Sequence, residues 1–299
     1  MEVLISAPRG FCAGVVRAID LVELALKKYG APVYIKHQIV HNPHVVSDLE
    51  KKGAITVENV NEIPNGSNVV FSAHGSPPDD FKEARKKGLN IIDAVCPLVT
   101  KVHNEAKKYS SLGKKIILVG HDGHQEVKGT MGQTEMTLVD DKNVNSIPKW
   151  NSDTEVVVLT QTTLSVNDTQ NITSALERKF TNSIIRNDIC YATTNRQEAV
   201  KQMAEKVDAI LVIGAENSSN CNRLKELSES LGVPSQLANN TAEINYDSIK
   251  NCNVIGITSG ASTPEVLVQE IIEYLRPTKI SYLTTIEEDI TFTIREGTV

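Results

Sequence analysis

Three of the five cysteines stand in the same kind of place. Cys96 closes the apolar run Ile91-Ile92-Asp93-Ala94-Val95, which reads as a short buried strand, and Pro97 follows it. Proline suits the first position of a helix, where its missing N–H would be unpaired anyway. Val99, Val102, Ala106 and Tyr109 then keep roughly helical spacing. Cys12 follows the strand Val3-Leu4-Ile5 and precedes a helix with Val15, Ala18, Ile19, Val22 and Leu26 on one face. Cys190 precedes Val200, Met203, Ala204 and Val207, at i, i+3, i+4 and i+7. Where a strand gives way to a helix, backbone N–H groups and the positive end of the helix dipole favour a thiolate. A single such cysteine is usually a small buried apolar side chain. Three in matched places point to a metal site.

Three thiolates with no fourth leave a metal site one open position. Zinc is one candidate, as Cys₃His or as a catalytic site. All seven histidines fall between positions 37 and 124, and His37 and His41 are four apart. Asn42-Pro43 makes that stretch a poor helix, however, and there is no HExxH. An iron–sulfur cluster held by three cysteines fits better. Its remaining iron would stay open to substrate, as a Lewis acid and an electron conduit.

The elements that must position these residues repeat. The fold class is α/β, with three pseudo-symmetric units over 13–96, 97–190 and 191–276, closed by the terminal segments 1–12 and 277–299. The tail from Thr278 to Val299 alternates weakly and predicts one or two closing strands. Each unit offers a cysteine and two polar loops that follow strands. Cys12 to His41 is 29 positions, Cys96 to His124 is 28 and Cys190 to Ser218 is 28. Cys12 to His74 is 62, Cys96 to Thr162 is 66 and Cys190 to Ser262 is 72. Parallel α/β sheets bind ligands at the carboxyl ends of their strands. Three units around a pseudo-threefold axis would bring three thiolates and six loops to one centre. The loops are rich in hydroxyls and glycine, and such loops before helices present N–H and O–H donors to an anion, most naturally a phosphate. No GxxxxGK[ST] or GxGxxG occurs, so neither a P-loop nor a dinucleotide site is supported.

Composition narrows the classes further. The 299 residues are 40% apolar and 23% charged, enough for a full core, with net charge −6 and one Trp. No basic stripe with interleaved aromatics is present, which argues against nucleic acid. Apolar runs of about five residues are far short of a membrane span. The chain enters a strand at once with no signal segment, and its cysteine count is odd with no CxxC pair. Together these predict a reducing cytoplasm.

The chain carries, in order, Arg9-Gly10-Phe11-Cys12-Ala13-Gly14-Val15, His41-Asn42-Pro43, Ser72-Ala73-His74-Gly75, Asp93-Ala94-Val95-Cys96-Pro97 and Gly123-His124-Gln125-Glu126. Further along come Thr160-Gln161-Thr162-Thr163-Leu164-Ser165, Cys190-Tyr191-Ala192-Thr193-Thr194-Asn195-Arg196-Gln197, Asn217-Ser218-Ser219-Asn220 and Gly260-Ala261-Ser262. These segments span nearly the whole chain, and together they resemble the 4-hydroxy-3-methylbut-2-enyl diphosphate reductase (LytB) family. The resemblance implies a three-lobed α/β fold around one [4Fe–4S] cluster, with Cys12, Cys96 and Cys190 as ligands and one iron open. It implies reductive dehydroxylation of an allylic diphosphate to isopentenyl and dimethylallyl diphosphate, the last step of the non-mevalonate pathway. Ferredoxin or flavodoxin would supply the electrons. It places the diphosphate on His41, His74, His124, Ser218, Ser219, Asn220 and Ser262. It gives the hydroxyl end and its proton to Thr162 and Glu126. One departure is Cys221, where a small polar residue is expected beside the Asn-Ser-Ser-Asn loop. The competing classes are a zinc-dependent phosphate-ester hydrolase and a non-enzymatic iron–sulfur redox sensor.

Overall fold

The computed structural model describes all 299 residues. The chain begins with β1 (Glu2–Ala7), α1 (Ala13–Tyr29), β2 (Val33–Lys36), α2 (Pro43–Lys51), β3 (Ala54–Val57), β4 (Asn68–Phe71), α3 (Pro78–Lys86) and β5 (Asn90–Asp93). It continues with α4 (Pro97–Ser111), β6 (Lys115–Val119), α5 (Gln125–Met131), β7 (Thr137–Val139), β8 (Val156–Thr160), α6 (Val166–Lys179) and β9 (Ser183–Ile185). It ends with α7 (Tyr191–Ala204), β10 (Ala209–Ile213), α8 (Ser219–Ser230), β11 (Ser235–Ala238), β12 (Val254–Ser259), α9 (Glu265–Leu275) and β13 (Lys279–Thr284).

The strands form three sheets, and every pairing is parallel. Two have four strands, in the orders β3-β2-β4-β5 and β7-β6-β8-β9. These are one topology used twice. The third, β11-β10-β12-β1-β13, repeats that order with β1 as its fourth strand. In each set the fourth strand is the one that a cysteine follows in sequence: Cys96 after β5, Cys190 after β9, Cys12 after β1. The class and the three sheets are those read from the sequence.

The chain divides into two compact units. The first comprises Met1–Ala13, His41–Val45 and Cys190–Thr291; the second comprises Gly14–Val40, Val46–Ile189 and Phe292–Val299. The five-stranded sheet belongs to the first. Val3, Ile5, Leu211, Ile213, Ile255 and Ile257 pack against Leu267, Val268, Ile271 and Leu275 of α9. The opposite face, with Leu4, Ile210 and Val212, meets Val200 and Met203 of α7 and Leu224 of α8. A parallel sheet buried on both faces needs unbroken apolar runs, which is why Ala209–Ile213 reads as it does. In the second unit Ile117, Val119, Val156 and Val158 pack on Ile172 and Leu176 of α6, while Ile116, Leu118 and Val157 meet Val102 and Ala106 of α4. Val69 and Phe71 of β4 pack with Val57, Ile63 and Ala84.

The stretch around His37 and His41, read as a poor helix, gives way at Pro43 to α2, since Asn42 Oδ1 accepts the His44 and Val45 N–H groups and proline fits the first turn. Of the one or two closing strands expected in the tail, the structure has one, β13, which pairs with β1.

Candidate functional site

In the first unit, the turn after β1 is built to deliver Cys12. Gly10 takes φ +70°, its N–H donates to Ser259 Oγ at 2.8 Å, and its carbonyl accepts from Arg196 Nη2 at 2.8 Å. Arg196 is wholly buried and also holds Ala192 O at 2.9 Å and Glu288 at 3.0 Å. Cys12 N–H donates to Ala261 O at 3.1 Å, and the next N–H, of Ala13, donates to Tyr191 Oη at 3.1 Å. Burial, with the Cys12 and Glu288 charges adding, pushes that phenol up to about 12, so it stays protonated. Cys190 is the N-cap of α7, and its Sγ lies 3.3 Å from Thr193 Oγ1.

Asn220 ties these pieces together. Its Oδ1 accepts from Ala261 N at 3.0 Å and its Nδ2 donates to Thr193 Oγ1 at 3.3 Å. A chain of hydrogen bonds thus runs from Cys12 through Ala261, Asn220 and Thr193 to Cys190. Ser218 caps α8 by accepting from Cys221 N, which leaves Ser219 and Asn220 in the first turn, at the positive end of the helix. Ser262 Oγ donates to His41 O at 3.1 Å and so fixes that histidine's main chain. Cys221 is core: it is fully buried, and its Sγ fills the space left open by Gly214 and Gly260, where any Cβ would collide with it.

In the second unit Cys96 caps α4, with its N–H donated to Ala73 O at 3.0 Å. Arg17 Nη1 holds the preceding carbonyl, of Val95, at 3.1 Å. His74 sits in the turn after β4. There Gly75 takes φ +81°, and a Cβ would lie 2.7 Å from the His103 ring, so only glycine fits. The His74 and His124 rings are 6.3 Å apart and nearly perpendicular.

His124 and Glu126 open a helix rather than continue the loop that follows β6. His124 is the N-cap of α5, and its Nδ1 accepts the Glu126 N–H at 3.2 Å. A capping side chain replaces strand alternation here, because four N–H groups at a helix start need acceptors. Burial above all, with His121, His37 and Lys128 adding, lowers this imidazole to about 4. It is therefore neutral, with its proton on Nε2. Glu126 is 5% exposed. Its Oε1 accepts from Thr162 N at 2.6 Å and its Oε2 from Thr162 Oγ1 at 2.8 Å. Burial raises it to about 7; the Thr162 bonds oppose that rise, and the nearby Asp188 carboxylate adds to it. A carboxyl poised near neutrality can deliver a proton.

Of the residues singled out in the sequence, the first unit holds Cys12, His41, Cys190, Ser218, Ser219, Asn220 and Ser262; the second holds Cys96, His74, His124, Glu126 and Thr162. Sequence reasoning passed over Tyr191, Thr193 and Arg196. Their signal was the polar run after Cys190, a sequence too hydrophilic for a helix this deeply buried unless its side chains are bonded inside.

The LytB protein family model matches residues 3–276. The chain is 50% identical over 303 residues to 4-hydroxy-3-methylbut-2-enyl diphosphate reductase 2 of Bradyrhizobium diazoefficiens, covering 98% of this chain and 97% of that one. It is 47% identical to the reductase of Burkholderia pseudomallei, with 98% and 96% covered. Among solved structures, the E-1-hydroxy-2-methyl-but-2-enyl-4-diphosphate reductase of Plasmodium falciparum aligns with TM-score 0.95 and 37% identity, over 99% of this chain and 96% of that one. A second structure, of an (E)-4-hydroxy-3-methyl-but-2-enyl diphosphate reductase, aligns with TM-score 0.66 and 31% identity, over 92% and 99%. The family model covers nearly the whole chain, and relatives about half identical match it end to end: the chain belongs to the LytB family.

Proposed function

We propose that this chain reduces (E)-4-hydroxy-3-methylbut-2-enyl diphosphate to isopentenyl and dimethylallyl diphosphate. In this reaction the allylic C–O bond breaks, two electrons and two protons enter, and the hydroxyl leaves as water. The observation that carries the reading is Glu126: a buried carboxyl near neutrality, bonded twice to Thr162. Hydroxide is a poor leaving group unless it is protonated or held by a metal. Glu126 stores the proton, and Thr162 Oγ1 passes it to the departing oxygen.

Cys12, Cys96 and Cys190 would hold a [4Fe–4S] cluster with one iron open. The residues fit such a group: all three precede helices, and the Asn220 chain fixes two of them in one unit. When bound, the cluster supplies the electrons and a Lewis acid. Neutral His124, donating Nε2–H, and the hydroxyls and N–H groups of Ser218, Ser219 and Ser262 suit the diphosphate, as do His41, His74 and Asn220. A ferredoxin or flavodoxin delivers the electrons. No helix is long and apolar enough to cross a membrane.

Anaerobic purification with iron, sulfide and zinc analysis tests the cofactor, and product analysis with a chemical reductant tests the reaction. Zinc in place of iron, with phosphate-ester hydrolysis, would turn the assignment to a hydrolase. A normal cluster with no affinity for an allylic diphosphate would turn it to a redox sensor.

Asn220→Ala removes two neutral hydrogen bonds, worth roughly 1 kcal/mol each. It should lower the melting temperature by several degrees, weaken substrate binding by about tenfold or more, and perturb the visible spectrum, because both cysteine-bearing segments lose their tie. An unchanged melting curve would show that the Asn220 bridge carries no load.

A further inference from the structure

His37 lies at the carboxyl end of β2 with φ +62°, one of only two non-glycine residues at positive φ. The other, Arg276, is the C-cap of α9, where a left-handed residue is ordinary. At the end of a strand such a conformation is sparsely populated, and the surroundings must hold it. They do so twice over. The His37 N–H donates to Val57 O at 2.7 Å, and its Nδ1 lies 2.8 Å from Glu58 Oε2. An ionised carboxylate only accepts, so Nδ1 carries a proton. The clamped ring meets His74 edge to face, with centroids 5.8 Å apart at 75°, and His74 meets His124 at 6.3 Å and 88°. Three rings thus form a row, and its outer end is tied to β3.

We propose that His37 is a positioning residue: fixed by Val57 and Glu58, its ring sets the orientation of the His74 imidazole, and so of the donors that His74 and His124 offer to a diphosphate. This rests on the reading above that His74 and His124 bind that group. Neither His37 nor Glu58 needs to touch the ligand. The row removes rotational freedom from His74 before binding, and preorganisation of that kind shows in affinity rather than in the chemical step.

The test titrates inorganic diphosphate into the cluster-loaded protein by calorimetry, beside steady-state kinetics with substrate. His37→Ala should raise both the diphosphate Kd and the KM about five- to tenfold, the scale of one lost contact. Its kcat should stay within about twofold, with unchanged iron content. His37→Asn tolerates a left-handed φ but has no ring; it should show the same loss. Restored affinity in His37→Asn would mean that the turn matters and the ring does not, which overturns the proposal. So would unchanged Kd and KM in His37→Ala. A His74→Ala control separates the two levels of the argument: if it leaves diphosphate affinity unchanged, the diphosphate reading itself fails, and the positioning role falls with it.

Discussion

Glu126→Gln is expected to load its cofactor, bind substrate nearly normally and turn over at least about 10²-fold more slowly, the usual scale of general acid catalysis. Glutamine keeps the shape and can still accept from the Thr162 N–H, so the pocket should hold. What it lacks is a proton to give. The pH profile sharpens the test. Glu126 is raised to about 7, and a general acid works in its protonated form. Turnover by the native protein should therefore fall as pH rises through about 7, and the residual rate of Glu126→Gln should lack that limb. Stability carries the same signature. A carboxyl with a raised folded-state pKa binds its proton more tightly when folded, so its contribution is greatest below the unfolded value. That contribution declines as pH climbs from about 4.5 to about 7. Glu126→Gln should remove this decline and melt higher than the native protein at pH 8. Near-native turnover in the variant, measured anaerobically with a chemical reductant, would exclude Glu126 as the acid.

Cys96→Ser should lose iron and all turnover. In the proposed site the thiolate would be the ligand, and a helix start favours that form electrostatically. A serine hydroxyl at the same place stays protonated near neutrality and is a poor ligand for iron. Cys12→Ser and Cys190→Ser should behave alike, since each position immediately precedes α1 or caps α7. The control lies in the two cysteines placed otherwise. Cys221 is packed under Gly214 and Gly260, where burial pushes its thiol up, and Cys252 packs against the apolar core behind β12. Cys221→Ser and Cys252→Ser should keep a full iron complement, the former with some loss of stability from a buried hydroxyl. Iron retained by Cys96→Ser, or lost from Cys252→Ser, would mean that the ligand set is wrongly drawn.

The central strands were legible because they are long and apolar: Lys115–Val119 and Ala209–Ile213 stand out against any background. The outer strands β3, β7 and β11 were not. They are Ala-Ile-Thr-Val, Thr-Leu-Val and Ser-Gln-Leu-Ala, edge strands of three or four residues, too short to show a period. The helix at Gln125 was missed because Gly129 interrupts its pattern. That glycine is there for close packing, since a Cβ would lie 2.9 Å from the Gly75 main chain. The cysteines and polar loops could be picked out by type and spacing. The Asn220 bridge could not, because a hydrogen bond between residues 27 and 41 positions apart leaves no local trace.

The position of β1 in its sheet has a consequence for biosynthesis. The other two sheets each draw their strands from one continuous stretch, and their pairings can close soon after they leave the ribosome. β1 lies between β12 and β13, with Glu2 beside Val254 and Lys279. It must wait for some 250 residues to be made, about 12–50 s at ordinary elongation rates. Until then Cys12 has no carbonyl at Ala261 to hold it, whereas Cys96 already has Ala73. The nascent chain therefore emerges with one thiol placed early and another unplaced until the turn at Ala261 has been made. Any group that needs Cys12 must wait for that stretch, and loss of β13 would leave β1 with an exposed edge.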